Sequence, residues 1–436
     1  MALREACDGA VGDGRAAEGS VAARVWLVTE GSGGHLIPAL QVALALAKRG
    51  AVTRLWYAQR RQATPLIHAL LRSGGQAGVE TEGVPVSATA GLLRRLVECG
   101  HLWRRAEQMM DRFAPQVVVG FGGWVSMPVL LAARARQVPC LLHEQNVMMG
   151  RANRWLARWV DGLAVSFDAT QRALGTIPAV VTGLPLRGDL AGTPREVAAA
   201  QFGLAPERPT VLVVGGSQGA RAINRLMSRM AALWSSDERR QWQVVHVTGP
   251  DDVVAVREGY AAYGLTAWVA PFVTDMGAAY AQADLVVARA GASTVMELAA
   301  CGKPAILIPY PRARSHQREN ARLIEAVGGG VMVEERDATP ERLLELVRRL
   351  LADDVLRERM GSNIRGLSTV GAAERMSQMV LAYAGRRRGA EPRVLGASSN
   401  QGRPAGGSRD ARASTELPSL APPQRSWAQE AAVCPS

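Results

Sequence analysis

The sequence has few cysteines and no two of them at close spacing. The five, Cys7, Cys99, Cys140, Cys301 and Cys434, form no C-x-x-C motif. Disulfide-stabilised domains and zinc sites are built on closely spaced cysteines, so the sequence indicates neither class and fits a reducing, cytosolic setting.

Long apolar runs are absent as well. No stretch of about 18 consecutive apolar residues occurs, and the first segment mixes acidic and basic side chains without the apolar core of a signal peptide. We therefore expect a soluble or peripheral protein and not a membrane-spanning one.

Lysine and aromatic residues are scarce. Lys48 and Lys303 are the only lysines, so arginine carries nearly all the positive charge, and the net charge is +12. This charge favours anionic partners such as acidic lipid head groups or phosphate-bearing substrates. Aromatic residues make up 5% of the chain and do not alternate with basic ones, which argues against nucleic-acid binding because bases need stacking platforms.

A strand, a glycine-rich loop and a helix occur in this order twice. The 436 residues, 48% of them hydrophobic, are enough for two cores. The first unit spans residues 25–48, with a helix opened by Pro38, and the second spans residues 210–230. We therefore predict an α/β protein of two Rossmann-like, doubly wound domains that face each other across a cleft. Leu36 stands at the third glycine position of a G-x-G-x-x-G motif, which leaves a nicotinamide-dependent dehydrogenase a weak alternative.

Composition sets the expected domain boundaries. Residues 1–21 and 386–436 are rich in small and polar residues without periodicity, which is typical of disordered tails. The regular pattern lapses after residues 181–187. We therefore predict an N-terminal domain at 22–185 and a C-terminal domain at 186–385, with the last helix a candidate for returning to the first domain.

Residues 285–320 are the most informative part of the second unit. They predict a buried strand, a helix with Ser293 and Thr294 as N-cap types that ends at Gly302, and a further strand. A helix N-terminus at the carboxyl edge of a parallel sheet favours an anionic ligand such as a diphosphate, and Glu297, one turn inside, suits two ribose hydroxyls. An ordinary crossover helix with a solvated glutamate is the alternative.

The segment from Gly91 to Met110 predicts a basic amphipathic helix. Apolar residues recur at alternating four- and three-residue steps, with arginines off that line. Such a helix either packs on its own domain or contacts an anionic membrane surface, and both interpretations stay open.

Polar or glycine-rich segments follow two further predicted strands. They are residues 120–126 and 143–146, and such segments either line the cleft of an open α/β sheet or form hydrogen-bonded turns. Trp155 and Trp159, four residues apart, are predicted to pack in the core.

Seven motifs, taken together and in order, resemble those of one enzyme family. They are residues 31–35 with Pro38, 120–126, 143–146, 215–220, 272–276, 292–297, and 316–317 with Asn320. Over about residues 24–384 they closely resemble the bacterial peptidoglycan N-acetylglucosaminyltransferase family, which makes lipid II from lipid I. Each glycine loop is a weak signal alone, whereas the ordered set is specific.

The resemblance implies a glycosyltransferase fold of the B type and a defined reaction. N-acetylglucosamine would move from UDP-N-acetylglucosamine to the muramoyl sugar of an undecaprenyl-diphosphate-linked pentapeptide, with inversion at the anomeric carbon and without a cofactor. The protein would bind the anionic inner leaflet of the cell membrane peripherally, on its cytoplasmic side. Other cell-wall and division proteins are candidate partners, and nucleic acid is not.

The resemblance also implies that the N-terminal domain, 22–185, is the acceptor and membrane-side domain and that the C-terminal domain, 186–385, binds the UDP-sugar. It further assigns roles to individual residues. Contacts to UDP-N-acetylglucosamine are expected from Ser32, Gly33, Gly34, Asn146, Arg187, Ser217, Val273, Ala292, Ser293, Thr294, Val295, Met296, Glu297 and Gln317, with further contacts at Gly216, Gln218, His316 and Asn320. The acceptor side is expected at Gly122, Gly123 and Glu144, and the membrane contact at Leu92, Leu96, Trp103 and Arg104. No metal ligands are expected: the chain has no D-x-D pair, so helix dipoles and arginine are expected to stabilise the departing UDP.

His35, on a glycine-rich loop, is the candidate general base. An imidazole suits the removal of a hydroxyl proton in a single displacement, and a structural role is the alternative.

Two positions depart from the family pattern: Glu30 replaces the usual first glycine of the opening loop, and Leu184 replaces an asparagine before Pro185. These departures are the basis of one alternative, in which the protein is a homologue that binds a UDP-sugar but has no transferase activity. A glycolipid synthase with another lipid acceptor is the other alternative.

Overall fold

Two parallel β-sheets organise the body of the protein. The computed structural model describes residues 22–59, 65–87, 91–188, 190, 192–216, 219–311 and 316–385. The predicted tails at 1–21 and 386–436 lie outside these ranges.

The first sheet has seven strands within the described ranges. They are β1 (Arg24–Thr29), β2 (Val52–Gln59), β3 (Glu80–Pro85), β4 (Val117–Gly120), β5 (Cys140–Glu144), β6 (Gly162–Val165) and β7 (Val180–Val181), in the spatial order β3-β2-β1-β4-β5-β6-β7. The helices between them are α1 (Gly33–Lys48), α2 (Pro65–Gln76), α3 (Leu92–Phe113), α4 (Ser126–Ala135), α5 (Arg151–Leu156) and α6 (Asp168–Ala173).

The second sheet has six strands in the same part of the chain. They are β8 (Thr210–Val214), β9 (Gln243–Val247), β10 (Thr266–Ala270), β11 (Leu285–Ala288), β12 (Ala305–Leu307) and β13 (Gly330–Met332), in the order β10-β9-β8-β11-β12-β13. Its helices are α7 (Arg195–Phe202), α8 (Arg221–Ala232), α9 (Ser236–Gln241), α10 (Val253–Ala262), α11 (Met276–Gln282), α12 (Ala292–Cys301), α13 (His316–Ala326), α14 (Pro340–Ala352), α15 (Asp354–Arg365) and α16 (Ala372–Ala384), with a short 3-10 helix at Glu335–Asp337.

The strand order of each sheet creates a crevice. Every strand pairs in parallel, and β4, β5, β8 and β11 are buried throughout because helices cover both faces. The order reverses between β1 and β4 and again between β8 and β11, and ligands of open α/β sheets bind outside the carboxyl ends of strands at such points. The predicted fold class, two doubly wound α/β domains, is confirmed.

The last helix belongs to the core of the first sheet. On α16, Met376, Val380 and Ala384 are buried in one apolar cluster with Val25 and Leu27 of β1. The chain therefore crosses back from the second sheet to the first after α15.

Helix α1 begins earlier than its proline predicts. The backbone N–H groups of His35 and Leu36 both donate to the Ser32 carbonyl, at 3.0 and 2.9 Å, so the helix starts at Gly33 and encloses Pro38. The prediction that Pro38 opens this helix is wrong, because the two glycines before it also accept helical geometry. His35 accordingly lies in a helical turn and not on a loop.

Helix α12 also starts next to a glycine. Gly291 is its extended N-cap residue and accepts the backbone N–H of Val295 at 2.9 Å, so Ser293 and Thr294 stand inside the first turn and do not cap it. The predicted end is confirmed, because Gly302 is the C-cap residue with a left-handed φ of +62°.

The two tryptophans predicted for the core are exposed instead. Trp155 and Trp159 are 44% and 41% exposed, their ring centroids lie 5.8 Å apart, and the Arg134 guanidinium lies 5.2 Å from the Trp159 ring. The inner positions of this segment are taken by Asn153 and Leu156. The four-residue spacing is therefore that of the outer face of α5 and the turn after it.

Candidate active site

A cavity of about 260 Å³ lies at the carboxyl ends of the strands, between the two halves of the fold. The first half contributes the start of α1 and the second half contributes the loops after β8, β9, β10 and β11. The lining residues are Gly33, Gly34, Ile37, Arg187, Val214, Gly216, Val247, Pro271, Phe272, Val273, Met276, Gly291, Ala292, Ser293, Thr294, Glu297 and Gln317.

The N-terminus of α12 forms the polar wall of this cavity. The first backbone N–H groups of a helix have no partner inside the helix, and here the residues that carry them line the cavity. The Ser293 hydroxyl is buried without a hydrogen-bond partner, and so is Nε of Arg187, whose other end donates to the Thr274 carbonyl at 3.1 Å. Unpaired donors, a helix dipole and a guanidinium together suit a diphosphate.

Glu297 places a carboxylate in the same cavity. It stands in the second turn of α12, is 9% exposed and receives a hydrogen bond from the Tyr280 hydroxyl at 2.9 Å on Oε2. A carboxylate is an acceptor, so it suits the hydroxyl groups of a sugar and not a phosphate.

His35 directly follows the two glycines that line the cavity. Its Nδ1 lies 3.0 Å from the Ser32 hydroxyl, although Ser32 is the N-cap residue of α1 and its side chain caps no backbone N–H. The predicted acceptor loop is adjacent, because a Cβ added at Gly122 would lie 3.4 Å from Cδ2 of His35. The imidazole therefore lies beside the predicted acceptor loop, one residue after the glycines that line the cavity.

A second histidine is buried behind this one. Burial is the main cause that lowers the pKa of His143 to about 4; a hydrogen bond with the Gly183 carbonyl opposes this shift and the proximity of His35 adds to it. Its Nε2 lies 3.1 Å from that carbonyl. His143 is therefore neutral near pH 7 and acts as a structural group.

Glu144 is the centre of a hydrogen-bonded turn. Its buried carboxylate accepts hydrogen bonds from the backbone N–H groups of Asn146 and Gly150 and from the side-chain amides of Asn146 and Asn153, at 2.8–3.3 Å. Of the two interpretations of residues 143–146, the hydrogen-bonded turn is the one that fits Glu144. The acceptor role predicted for this residue stays a prediction.

Asn146, His316 and Asn320 connect the two halves of the fold. The Asn320 amide donates to Oδ1 of Asn146 at 3.2 Å and its oxygen accepts the Val147 N–H at 3.0 Å. Nδ1 of His316 lies 2.9 Å from the Met148 carbonyl. None of the three lines the cavity, so their geometry is that of a bridge beside it.

The two departures from the family pattern are both buried. Glu30 packs against Gly123, since a Cβ added at that glycine would lie 1.9 Å from Cγ of Glu30. Leu184 lies in the apolar core of the second sheet and does not line the cavity. Neither side chain lines the cavity.

The structure brings most of the predicted donor contacts together. Those that line the cavity are Gly33, Gly34, Arg187, Gly216, Val273, Ala292, Ser293, Thr294, Glu297 and Gln317. Val295 and Met296 are buried in the core and Ser32 turns to His35, while Ser217 and Gln218 lie outside the described residues. Residues that line the cavity but were not predicted from the sequence as donor contacts include Ile37, Phe272 and Met276; the last two lie within the motif at 272–276.

Comparisons with known proteins agree with this geometry. Models of the N-terminal and C-terminal domains of glycosyltransferase family 28 match residues 25–165 and 210–376. The chain is also similar to proteins that share the name UDP-N-acetylglucosamine–N-acetylmuramyl-(pentapeptide) pyrophosphoryl-undecaprenol N-acetylglucosamine transferase. The one from Syntrophotalea carbinolica is 37% identical over 81% of this chain and 97% of its own length, and the one from Mesorhizobium japonicum is 37% identical over 80% and 91%.

A solved structure is similar as well. Acinetobacter baumannii MurG is 28% identical, with a TM-score of 0.65, over 82% of this chain and 99% of that one. The family predicted from the seven motifs is thereby confirmed. The chain belongs to glycosyltransferase family 28, among the UDP-N-acetylglucosamine–N-acetylmuramyl-(pentapeptide) pyrophosphoryl-undecaprenol N-acetylglucosamine transferases.

Proposed function

We propose that this glycosyltransferase moves N-acetylglucosamine from UDP-N-acetylglucosamine to lipid I, which gives lipid II and UDP. The observation that carries the proposal is the donor cavity: unpaired anion-binding groups of Ser293 and Arg187 stand beside the Glu297 carboxylate, and His35 lies next to the acceptor loop. The diphosphate would bind at the start of α12 and the ribose at Glu297.

The reaction follows from this arrangement as a single displacement. The hydroxyl oxygen of the acceptor sugar attacks the anomeric carbon, the bond from that carbon to the diphosphate oxygen breaks, and UDP leaves with the electron pair. In the tautomer whose Nδ1 donates to the Ser32 hydroxyl, Nε2 of His35 takes the hydroxyl proton. The α12 N-terminus and Arg187 stabilise the charge that develops on UDP.

We expect UDP release by the purified protein to depend on a muramoyl lipid acceptor. The assay measures UDP formed from UDP-N-acetylglucosamine with a short-chain lipid I analogue, with diacylglycerol and without acceptor. Turnover with diacylglycerol alone would indicate a glycolipid synthase. Folded protein that binds the donor and turns over with neither acceptor would be an inactive homologue.

We further propose that the N-terminal half of α3 contacts an anionic membrane surface on the cytoplasmic side. Leu93, Leu96 and Val97 are 80%, 61% and 57% exposed, with the exposed Arg94 and Arg95 among them. This combination of apolar and basic side chains is typical of helices that lie in the membrane interface. No helix in the described ranges is long and apolar enough to cross a bilayer.

The other half of α3 packs on its own domain. Leu102, Ala106 and Met110 are buried, and Trp103 packs against the same apolar cluster. Core packing therefore accounts for this half of the helix, and the membrane contact is proposed for the other half alone. The proposed membrane contact therefore consists of Leu93, Leu96 and Val97 and does not include Trp103, which packs on the core. Of Leu92, only the helical backbone is described.

The double variant Leu93→Ser with Leu96→Ser should bind anionic vesicles at least about tenfold more weakly, because a buried leucine side chain contributes about 1.5–3 kcal/mol. Cosedimentation with equimolar phosphatidylcholine and phosphatidylglycerol measures this. The matched control is Val355→Ser with Val370→Ser, which replaces two exposed valines of the other half. Unchanged binding of the leucine variant would contradict the proposal.

A further inference from the structure

Tyr280 is a fully buried polar residue beside the donor cavity that has no role so far. It stands on α11, within an apolar cluster that includes Val295 and Leu298 of α12. Its hydroxyl donates to Oε2 of Glu297 at 2.9 Å, and Glu297 lines the cavity whereas Tyr280 does not.

The protonation state of this pair is defined by its surroundings. Burial raises the pKa of Tyr280 well above its ordinary value, and the Glu297 carboxylate raises it further. The phenol therefore stays protonated and can only donate to the carboxylate. A carboxylate against an apolar cluster needs such a donor, because burying a charge without partners is costly.

We propose that Tyr280 is a positioning residue for the donor nucleotide: its hydrogen bond holds the Glu297 carboxylate in the orientation in which it receives the ribose hydroxyls. The inference rests on the proposed function, in which Glu297 binds the ribose. A glutamate side chain has several rotatable bonds, and a fixed carboxylate avoids the entropy cost of ordering them when the nucleotide binds.

The variant Tyr280→Phe tests this, since it removes one oxygen atom and keeps the ring. We expect its affinity for UDP to fall about tenfold, because a hydrogen bond to a charged nucleotide-binding group is lost. We expect kcat to stay within about twofold, because that group does not take part in the chemical step. With 2′,3′-dideoxy-UDP, which lacks both ribose hydroxyls, wild type and variant should bind equally. Titration calorimetry measures all four affinities.

Tyr260→Phe is the matched control. Tyr260 is buried in the core on the other face of the same sheet, and its hydroxyl lies 2.8 Å from Nδ1 of His246, so the substitution also removes one buried hydrogen bond. It should leave both affinities unchanged. Thermal unfolding shows whether either variant has lost its fold.

A double-mutant cycle with Glu297→Gln gives a second test of the same interaction. In a Glu297→Gln background, adding Tyr280→Phe should weaken UDP binding by less than about twofold, because the two residues act through one interaction.

The outcomes separate the two proposals. If wild type binds UDP and dideoxy-UDP equally well, the ribose role of Glu297 fails and this inference fails with it. If wild type distinguishes them and Tyr280→Phe distinguishes them as strongly, this inference alone fails. A variant that loses affinity for both nucleotides equally would show that Tyr280 supports only the fold.

Discussion

His35→Ala should lower kcat about 10²–10⁴-fold, the range for loss of a general base, while the affinity for UDP changes less than about threefold. The structure gives the reason for this division. The backbone of Gly33 and Gly34 lines the donor cavity, whereas the His35 ring is held by Ser32 and adjoins Gly122 of the acceptor loop. Steady-state kinetics with saturating donor and calorimetry with UDP measure the two quantities.

His68→Ala provides the control for this variant, because His68 is exposed on α2, outside the proposed site. It should match wild type in both measurements. Equal losses of turnover and of UDP affinity in His35→Ala would assign the residue to donor binding. A loss of turnover below about tenfold would show that another group or water takes the proton.

Local pattern was enough to predict the framework of the protein. The strand at 285–288 and the helix end at Gly302 were correct to the residue, because an unbroken apolar run and a glycine after a periodic segment each encode one structure. The helix starts were less accurate. Helix α1 begins at Gly33 and helix α12 follows its N-cap residue Gly291, and a glycine has no side chain that marks a helix start.

Partnerships between distant residues could not be predicted from the sequence. Asn320 meets Asn146 across 174 positions, and Tyr280 meets Glu297 only because α11 and α12 pack side by side. The exposure of Trp155 and Trp159 could not be predicted either. Their spacing shows that they share one face of a helix, but which face is buried depends on the tertiary packing. Most residues that were correctly predicted to line the cavity were identified through the sequence motifs of the family.

Glu297→Gln should raise the KM for UDP-N-acetylglucosamine about tenfold to hundredfold with kcat nearly unchanged. The carboxylate is proposed to accept both ribose hydroxyls, and hydrogen bonds to charged groups contribute about 1.5–3 kcal/mol each, where 1.4 kcal/mol is a factor of ten. Glutamine keeps the size of the side chain, but it has no charge and its amide nitrogen accepts no hydrogen bond. Steady-state kinetics with saturating acceptor measure both constants.

Glu345→Gln is the control, an exposed glutamate on α14 whose neutralisation should leave KM unchanged. A fall in kcat without a change in KM would place Glu297 in the chemical step instead. The competing explanation is that Glu297→Gln disturbs α12 and so weakens the diphosphate site. Inorganic diphosphate as a competitive inhibitor separates the two, because it lacks a ribose: its inhibition constant should be the same in the variant and in wild type if Glu297 acts on the ribose, and should rise in the variant if the start of α12 has moved.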